Sequence, residues 1–141
     1  GEDTELGWRI NKAGYVMIDD PSIQCVHYGN PKDIKGFYAQ QKWHATGMMG
    51  TFRISSFDKP LIMTVLFILS AIFSAILALE KVNWMKSILL LTWVPVTTAI
   101  FRTVQYLKPK YFISLVFLYL IYFIARAHAL IDMALSSQKR N

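Results

Sequence analysis

The stretch LIMTVLFILSAIFSAILAL, from Leu61 to Leu79, decides the fold class of this chain. None of its residues is charged, and as a helix it is long enough to cross the roughly 30 Å hydrocarbon core of a bilayer. Small residues recur along it and allow close packing of helices in a membrane: Ser70, Ala71, Ser74, Ala75 and Ala78. The sequence therefore predicts a transmembrane helix here.

Two further apolar runs follow, at about 84–101 and about 111–130. Pro95 lies near the middle of the first of these, and membrane helices tolerate such a proline. Three ionisable residues close the last run and are expected on one helical face: Arg126, His128 and Asp132. Either Arg126 snorkels toward the membrane surface, or these residues contact a lipid headgroup or phosphate.

The composition fits a membrane protein rather than a nucleic-acid module. Of the 141 residues 54% are hydrophobic, mostly after residue 60, and the net charge of +6 comes from basic residues beside the apolar runs. A nucleic-acid module needs a soluble basic face with exposed aromatics, which the sequence lacks. Cys25 is the single cysteine, so the chain has neither an internal disulfide nor a zinc-type spacing.

The loops predict the topology. Their basic excess places the N-terminal part and the loop between the second and third spans in the cytoplasm. Three spans then put the C-terminal tail outside. The basic pair Lys139-Arg140 favours the alternative, in which the third segment is interfacial or re-entrant and the tail lies inside.

Residues 1–30 predict a small α/β unit. A helix is expected over 4–13, with Asp3 or Thr4 as N-cap and Gly14 as the stop. A strand over 15–18, a turn at Asp19-Asp20-Pro21 and a second strand over 23–28 should follow. The two strands would form the edge of a sheet whose other strands are not in this chain.

A second amphipathic helix is expected next. Asn30 is the predicted N-cap and Pro31 the first helical residue, and the helix should end near Thr46, because Gly47-Met48-Met49-Gly50 interrupts it. One side of it should carry Ile34, Phe37, Tyr38 and Gln41. The aromatic and basic segment 51–59 suits an interfacial position on the bilayer.

Several residues carry chemistry or a structural role. The acids Glu2 and Asp3 either stabilise the first turn of the helix or supply a base. His27 is expected as a histidine on a strand, and a single histidine is no metal site by itself. The segment Gln40-Gln41-Lys42-Trp43-His44 is expected to be a membrane-interface helix with its Trp at headgroup level, a position that also allows a binding role.

The order of these parts resembles the C-terminal portion of membrane-bound family 2 glycosyltransferases. In that family an acidic pair precedes a helix with Leu and Arg, an Ala-Gly-Tyr turn, a strand, and a Val-His pair. Here the matching residues are Glu2-Asp3, Leu6, Arg9, Ala13-Gly14-Tyr15 and Val26-His27. The resemblance covers roughly residues 1–50, and the membrane spans agree in placement. Processive members carry Gln-x-x-Arg-Trp, from which Trp43 and His44 depart, so a single transfer becomes more plausible than polymerisation.

The resemblance implies a fold, a reaction and a set of roles. Asp3 is the expected catalytic base, with Glu2 beside it. Gln40, Gln41, Lys42, Trp43 and His44 are the expected acceptor and diphosphate contacts. His27 is a weak candidate metal ligand. A divalent metal, Mg or Mn, would be held mainly by residues upstream of this chain.

The expected architecture is mixed. Residues 1–30 end a GT-A-like catalytic α/β domain, 31–59 form an interfacial helical segment, and 60–141 form a membrane domain with spans near 61–79, 84–101 and 111–130. The chain is expected to be a piece of an inverting glycosyltransferase, inactive alone, that sits in the plasma membrane with its catalytic part in the cytoplasm. Expected partners are a nucleotide-sugar donor, a lipid or glycan acceptor, membrane lipids and the missing catalytic domain, but no nucleic acid. The alternative is a small membrane scaffold or accessory subunit without catalytic activity; a transporter subunit is weaker.

Overall fold

The structure is a computed structural model that describes residues 2–18, 20–24, 29–50, 59–80, 83–106 and 108–138. For 2–5, 47–50 and 137–138 the description covers only the backbone. The regular secondary structure of these residues consists of α1 (Glu2–Lys12), α2 (Ile34–Gly50), α3 (Lys59–Leu79), α4 (Trp84–Tyr106), a 3-10 turn (Pro109–Tyr111) and α5 (Phe112–Gln138). The expected α/β fold is wrong, since the described residues contain helices and no strand.

The segment predicted as the first strand, residues 15–18, shows why the α/β prediction is wrong. Tyr15, Val16 and Ile18 have no regular structure and are 70%, 83% and 85% exposed. A strand needs a neighbour to pair its backbone groups, and the described residues offer none. The second predicted strand lies largely in 25–28, outside the described residues, and so does His27.

Helix α1 ends as its sequence predicts. Gly14 has a φ of +85°, a conformation that costs other residues free energy. Its N–H donates to the Asn11 carbonyl at 3.1 Å, and the N–H of Tyr15 donates to the Ile10 carbonyl at 3.2 Å. This pair of bonds is a Schellman motif, and it confirms Gly14 as the stop. The helix begins at Glu2, so neither predicted N-cap, Asp3 or Thr4, precedes it.

The predicted turn after residue 18 is present in its described part. The Asp20 side chain accepts the Ser22 N–H at 2.9 Å, and the Ile23 N–H donates to the Asp20 carbonyl at 3.0 Å. The bond from the Ser22 N–H holds the pKa of the Asp20 carboxyl below its ordinary value. Asp20 thus closes this turn through its own side chain, as aspartate commonly does.

Helix α2 differs from its prediction at both ends. Its N-cap is Asp33, whose carboxylate accepts the Gly36 N–H at 2.6 Å, and not Asn30. A capping side chain has to reach the third residue of the helix, and Asp33 stands in that position before Ile34. The helix runs through Gly50 without the expected interruption, because an isolated glycine weakens a helix without ending it.

Three helices are long and apolar enough to cross a membrane, at Lys59–Leu79, Trp84–Tyr106 and Pro109–Ser136. These helices match the predicted apolar runs in position, and the second and third are longer than expected. Asn83 caps α4 by accepting the Met85 N–H at 3.0 Å. The chain is therefore compatible with an integral membrane protein.

Helices α3, α4 and α5 pack around a small core formed by Phe67, Val94 and Phe123. The rings of Phe67 and Phe123 stack at 5.5 Å. On the α3–α4 side the Ser74 hydroxyl donates to the Ser87 carbonyl at 2.7 Å, an approach that small residues allow. Because the chain reverses after each helix, α3 and α5 begin, and α4 ends, at the same end of the bundle.

Pro95 is buried inside α4 and leaves the helix unbroken. Proline lacks the N–H that would bond to the carbonyl four residues earlier, here that of Leu91. Threonine hydroxyls beyond it add bonds to other carbonyls of the helix. Thr97 donates to the Trp93 carbonyl at 2.9 Å, and Thr98 donates to the Val94 carbonyl at 2.8 Å. The predicted tolerance of this proline is confirmed.

Candidate functional site between α2 and α5

The polar side chains that meet across α2 and α5 form the candidate site. Tyr38 and Lys42 lie four residues apart on α2, and His128 and Asp132 lie four residues apart on α5. Residues at this spacing share a helix face, so each helix presents two polar groups to the other. We call these four residues the α2–α5 cluster.

The cluster is a connected chain of contacts. The Tyr38 hydroxyl lies 2.5 Å from His128 Nδ1. Lys42 Nζ lies 3.2 Å from His128 Nε2 and 2.6 Å from Asp132 Oδ2. His128 Nε2 is 3.5 Å from Asp132 Oδ1. Each of the four side chains thus contacts at least one other across the two helices.

These distances constrain the tautomer of His128. An ammonium group only donates hydrogen bonds, so the contact from Lys42 requires an acceptor at Nε2. The proton then resides on Nδ1, which donates to the Tyr38 oxygen. The longer distance from Nε2 to Asp132 agrees with this assignment. His128 thus links Tyr38 and Lys42 of α2 to α5 through its two ring nitrogens.

The ion pair limits what Lys42 can do. Its ammonium group bonds to Asp132, and the two side chains are 32% and 49% exposed. Because the carboxylate offsets the charge of Lys42, the pair attracts an added phosphate less than a lone lysine would. In this arrangement Lys42 chiefly attaches α2 to α5.

The rest of the predicted binding segment lies on α2 with varied exposure. Gln40, Gln41 and His44 are half-buried, whereas Trp43 is 62% exposed. The rings of Trp43 and His44 lie 5.1 Å apart and are tilted. Trp43 therefore presents an open aromatic face to a sugar, to lipid or to another protein surface.

The acidic pair lies on α1, a helix that contributes no residue to the α2–α5 cluster. Glu2 and Asp3 occupy the first turn of α1, and their side chains lie outside the description. Helix α1 shares no extensive packed interface with α2 or α5. Two of its contacts are local: Lys12 Nζ lies 5.0 Å from the Trp8 ring centroid, and Met17 lies over Gly7.

Arg126 is separate from the cluster, so the prediction that it shares one face with His128 and Asp132 is wrong. It is 6% exposed, and its guanidinium lies 4.9 Å from the Tyr122 ring centroid. Residues two apart on a helix point in nearly opposite directions, since each residue turns the helix by about 100°. Arg126 therefore faces the interior of the bundle.

The described residues contain no group of three His, Cys, Asp or Glu side chains that could hold a metal ion. His27, the weak candidate ligand, lies outside them. The part of the chain that the structure describes thus offers no set of ligands that fits the divalent metal implied by the resemblance, and we derive no step through a metal.

The sequence did not predict the role of Tyr38. It appeared only as one member of the apolar side of α2. Two polar pairs at four-residue spacing, one on each helix, were visible in the sequence, but nothing showed that these helices meet. Only the packing of α2 on α5 brings residues about ninety positions apart into contact.

Comparisons with known proteins give no family. No protein-family model matches the chain, and searches of curated proteins and of solved structures find no match either.

Proposed function

We propose that this chain is the membrane-anchored C-terminal portion of an inverting glycosyltransferase, which moves a sugar from a nucleotide-sugar donor to a lipid-linked or polysaccharide acceptor. One observation carries the proposal: the ordered set of sequence features, from Glu2-Asp3 to the Gln40–His44 segment, leads directly into three membrane-length helices. That order suits a transferase whose acceptor is at the membrane.

The proposed reaction uses Asp3 as general base. Asp3 takes the proton of the acceptor hydroxyl, and the oxygen forms a bond to the anomeric carbon of the donor. The bond from that carbon to the diphosphate breaks, and the nucleoside diphosphate leaves with the bonding electrons. Attack from the face opposite the leaving group inverts the anomeric centre.

The α2–α5 cluster is consistent with different roles for Lys42 and Trp43, which are neighbours on α2. Lys42 is occupied by Asp132, which suits a residue that holds α2 beside the membrane helices. Trp43 is exposed and one position further along the helix. We assign it the stacking contact with the acceptor sugar, a contact that aromatic rings commonly make.

The test is sugar transfer by the full-length protein in membranes, wild type against Asp3→Asn. The expected result is a loss of transfer by a factor on the order of a hundred or more, because the base is gone, with nucleotide binding retained. Glu5→Gln is the matched control, since it removes a carboxylate from the same helical turn, and it should keep transfer. Equal activity of Asp3→Asn and the wild type would rule out Asp3 as the base.

A second function is favoured by one observation. Tyr15, Val16 and Ile18 are apolar and largely exposed, as in a segment that binds another chain. The protein would then be a membrane scaffold or accessory subunit without catalytic activity. Under this alternative, neither Asp3→Asn nor Glu5→Gln changes the function of the protein. Val16→Ser with Ile18→Ser should instead weaken its assembly with the partner.

A further inference from the structure

The end of the bundle where α4 turns into α5 carries basic side chains that form no ion pair with an acid among the described residues. Arg102, Lys108 and Lys110 are all exposed there, and we call them the basic corner. Lys59 starts α3 at the same end, directly after Asp58, which lies outside the described residues. From residue 59 onward the sequence contains only two acids, Glu80 and Asp132.

Both acids lie far from the basic corner. Glu80 follows the last residue of α3, at the other end of the bundle. Asp132 is twenty residues beyond the start of α5, which corresponds to about 30 Å along the helix axis. At that distance, water and salt screen most of its interaction with the corner.

The backbone fixes the corner. The Lys108 N–H donates to the Thr103 carbonyl at 3.3 Å, and the Tyr111 N–H donates to the Lys108 carbonyl at 3.3 Å. The 3-10 turn Pro109–Tyr111 begins directly after Lys108. Lys108 and Lys110 are thus held within one tight turn and not on a long loop.

Among the described residues, the side-chain partners of Arg102 and Lys110 are neutral. Arg102 Nη1 lies 3.3 Å from Gln105 Oε1 and 3.4 Å from the Tyr106 hydroxyl. Lys110 Nζ lies 4.8 Å from the Tyr111 ring centroid. Amide, phenol and ring partners orient a cation without cancelling its charge, so the corner keeps its attraction for an anion.

Apolar side chains border the corner on its membrane side. Phe101, Val104 and Ile113 are 69%, 66% and 82% exposed. A free phosphate ion gains nothing from such neighbours. A phospholipid places its phosphate against the basic groups while its acyl chains cover the apolar side chains.

We propose that the basic corner binds the headgroup phosphate of an anionic phospholipid, whose acyl chains lie along the exposed surfaces of α4 and α5. The binding is electrostatic at the headgroup and apolar below it. It does not depend on the proposed glycosyl transfer, and it holds equally if the chain is a scaffold. It also places this end of the bundle at the leaflet that is richer in anionic lipid.

The test is native mass spectrometry of the purified full-length protein in mild detergent, with phosphatidylglycerol and phosphatidylcholine added in competition. The variant is Lys108→Gln with Lys110→Gln. The preference for phosphatidylglycerol should fall by a factor on the order of 20, because each lysine near an anionic surface contributes about fivefold. Lys32→Gln with Lys35→Gln is the matched control, since it removes two exposed lysines elsewhere and should keep the preference.

The remaining outcomes overturn the proposal. If the corner variant keeps the wild-type preference, these lysines do not bind the headgroup. If both double variants lose it equally, only net charge matters. If millimolar inorganic phosphate displaces phosphatidylglycerol, the site is one for free phosphate. The circular dichroism spectrum of each variant should match that of the wild type. If Lys108→Gln with Lys110→Gln is folded and still prefers phosphatidylglycerol as the wild type does, the proposal is wrong.

Discussion

At the residue scale, two glycines of the first helical segment act in opposite ways. Gly14 has a φ of +85° and closes the Schellman motif. Gly7 lies inside α1, where a methyl group would meet Met17 only at an ordinary contact of 3.5 Å. The backbone conformation at position 14 therefore requires Gly14, whereas Gly7 only weakens the helix.

Substituting each glycine with alanine should move the stability of α1 in opposite directions. Gly14→Ala forces a side chain into the left-handed region and should destabilise the helix end by about 1 kcal/mol. Gly7→Ala should stabilise α1 by about 0.5–1 kcal/mol through helix propensity. Amide hydrogen exchange of α1 measures both. Changes of the same sign in the two variants would contradict this account.

The helix ends also show which structural features a single residue can predict. The glycine stop was predictable because a left-handed C-terminal residue is nearly always glycine or asparagine. The N-cap of α2 was not, because Asn30 and Asp33 are both good caps and the choice depends on where the chain turns into the helix. At the start of α1 the sequence left a similar choice open, between Asp3 and Thr4 as N-cap.

At the element scale, the contact between α2 and α5 is the main new feature. A polar helix lies against the C-terminal half of a membrane-length helix through the Tyr38–His128 and Lys42–Asp132 contacts. Exposed ion pairs are weak, so packing of side chains such as the buried Ala45 must contribute to the interface.

Cross-linking tests this contact directly. In a Cys25→Ser background, cysteines at Tyr38 and His128 should be joined in high yield by a short bifunctional maleimide, because their side chains meet in the native protein. The control pair keeps the cysteine at His128 and moves the other to Ala39, which is exposed and rotated about 100° away on α2. Equal yields for the two pairs would mean that α2 does not dock on α5 in this orientation.

At the scale of the whole molecule, the α2–α5 contact constrains the path of the chain. His128 lies about 24 Å along α5 from its start at Phe112, toward the end of the bundle opposite Lys59. Between Gly50 and Lys59, nine peptide links reach at most about 30 Å. If α5 crosses the membrane fully, α2 must lie alongside the bundle and not flat at the end where α3 begins.

The reversals between α3, α4 and α5 predict which loops face opposite sides of the membrane. In a Cys25→Ser background, a cysteine at Glu80 and one at Lys108 should react with a membrane-impermeant maleimide from opposite sides, because α4 between them is long and apolar enough to cross the bilayer. Oriented vesicles give the measurement, and labelling after detergent lysis is the control. Reaction of both cysteines from one side would mean that α4 does not span.

The sequence by itself determined the membrane-length helices, because an apolar run of that length satisfies its backbone groups within one helix and needs no partner to be recognised. It also determined the end of α1, since Gly14 acts through local backbone geometry. The tertiary structure alone decided the rest. Residues 15–18 are strand-like but have no neighbour to pair with in the described part of the chain, and the α2–α5 cluster unites side chains that are distant in sequence. Strand pairing and helix docking depend on which surfaces meet in the folded protein. The periodicity of a single sequence does not predict which surfaces these are.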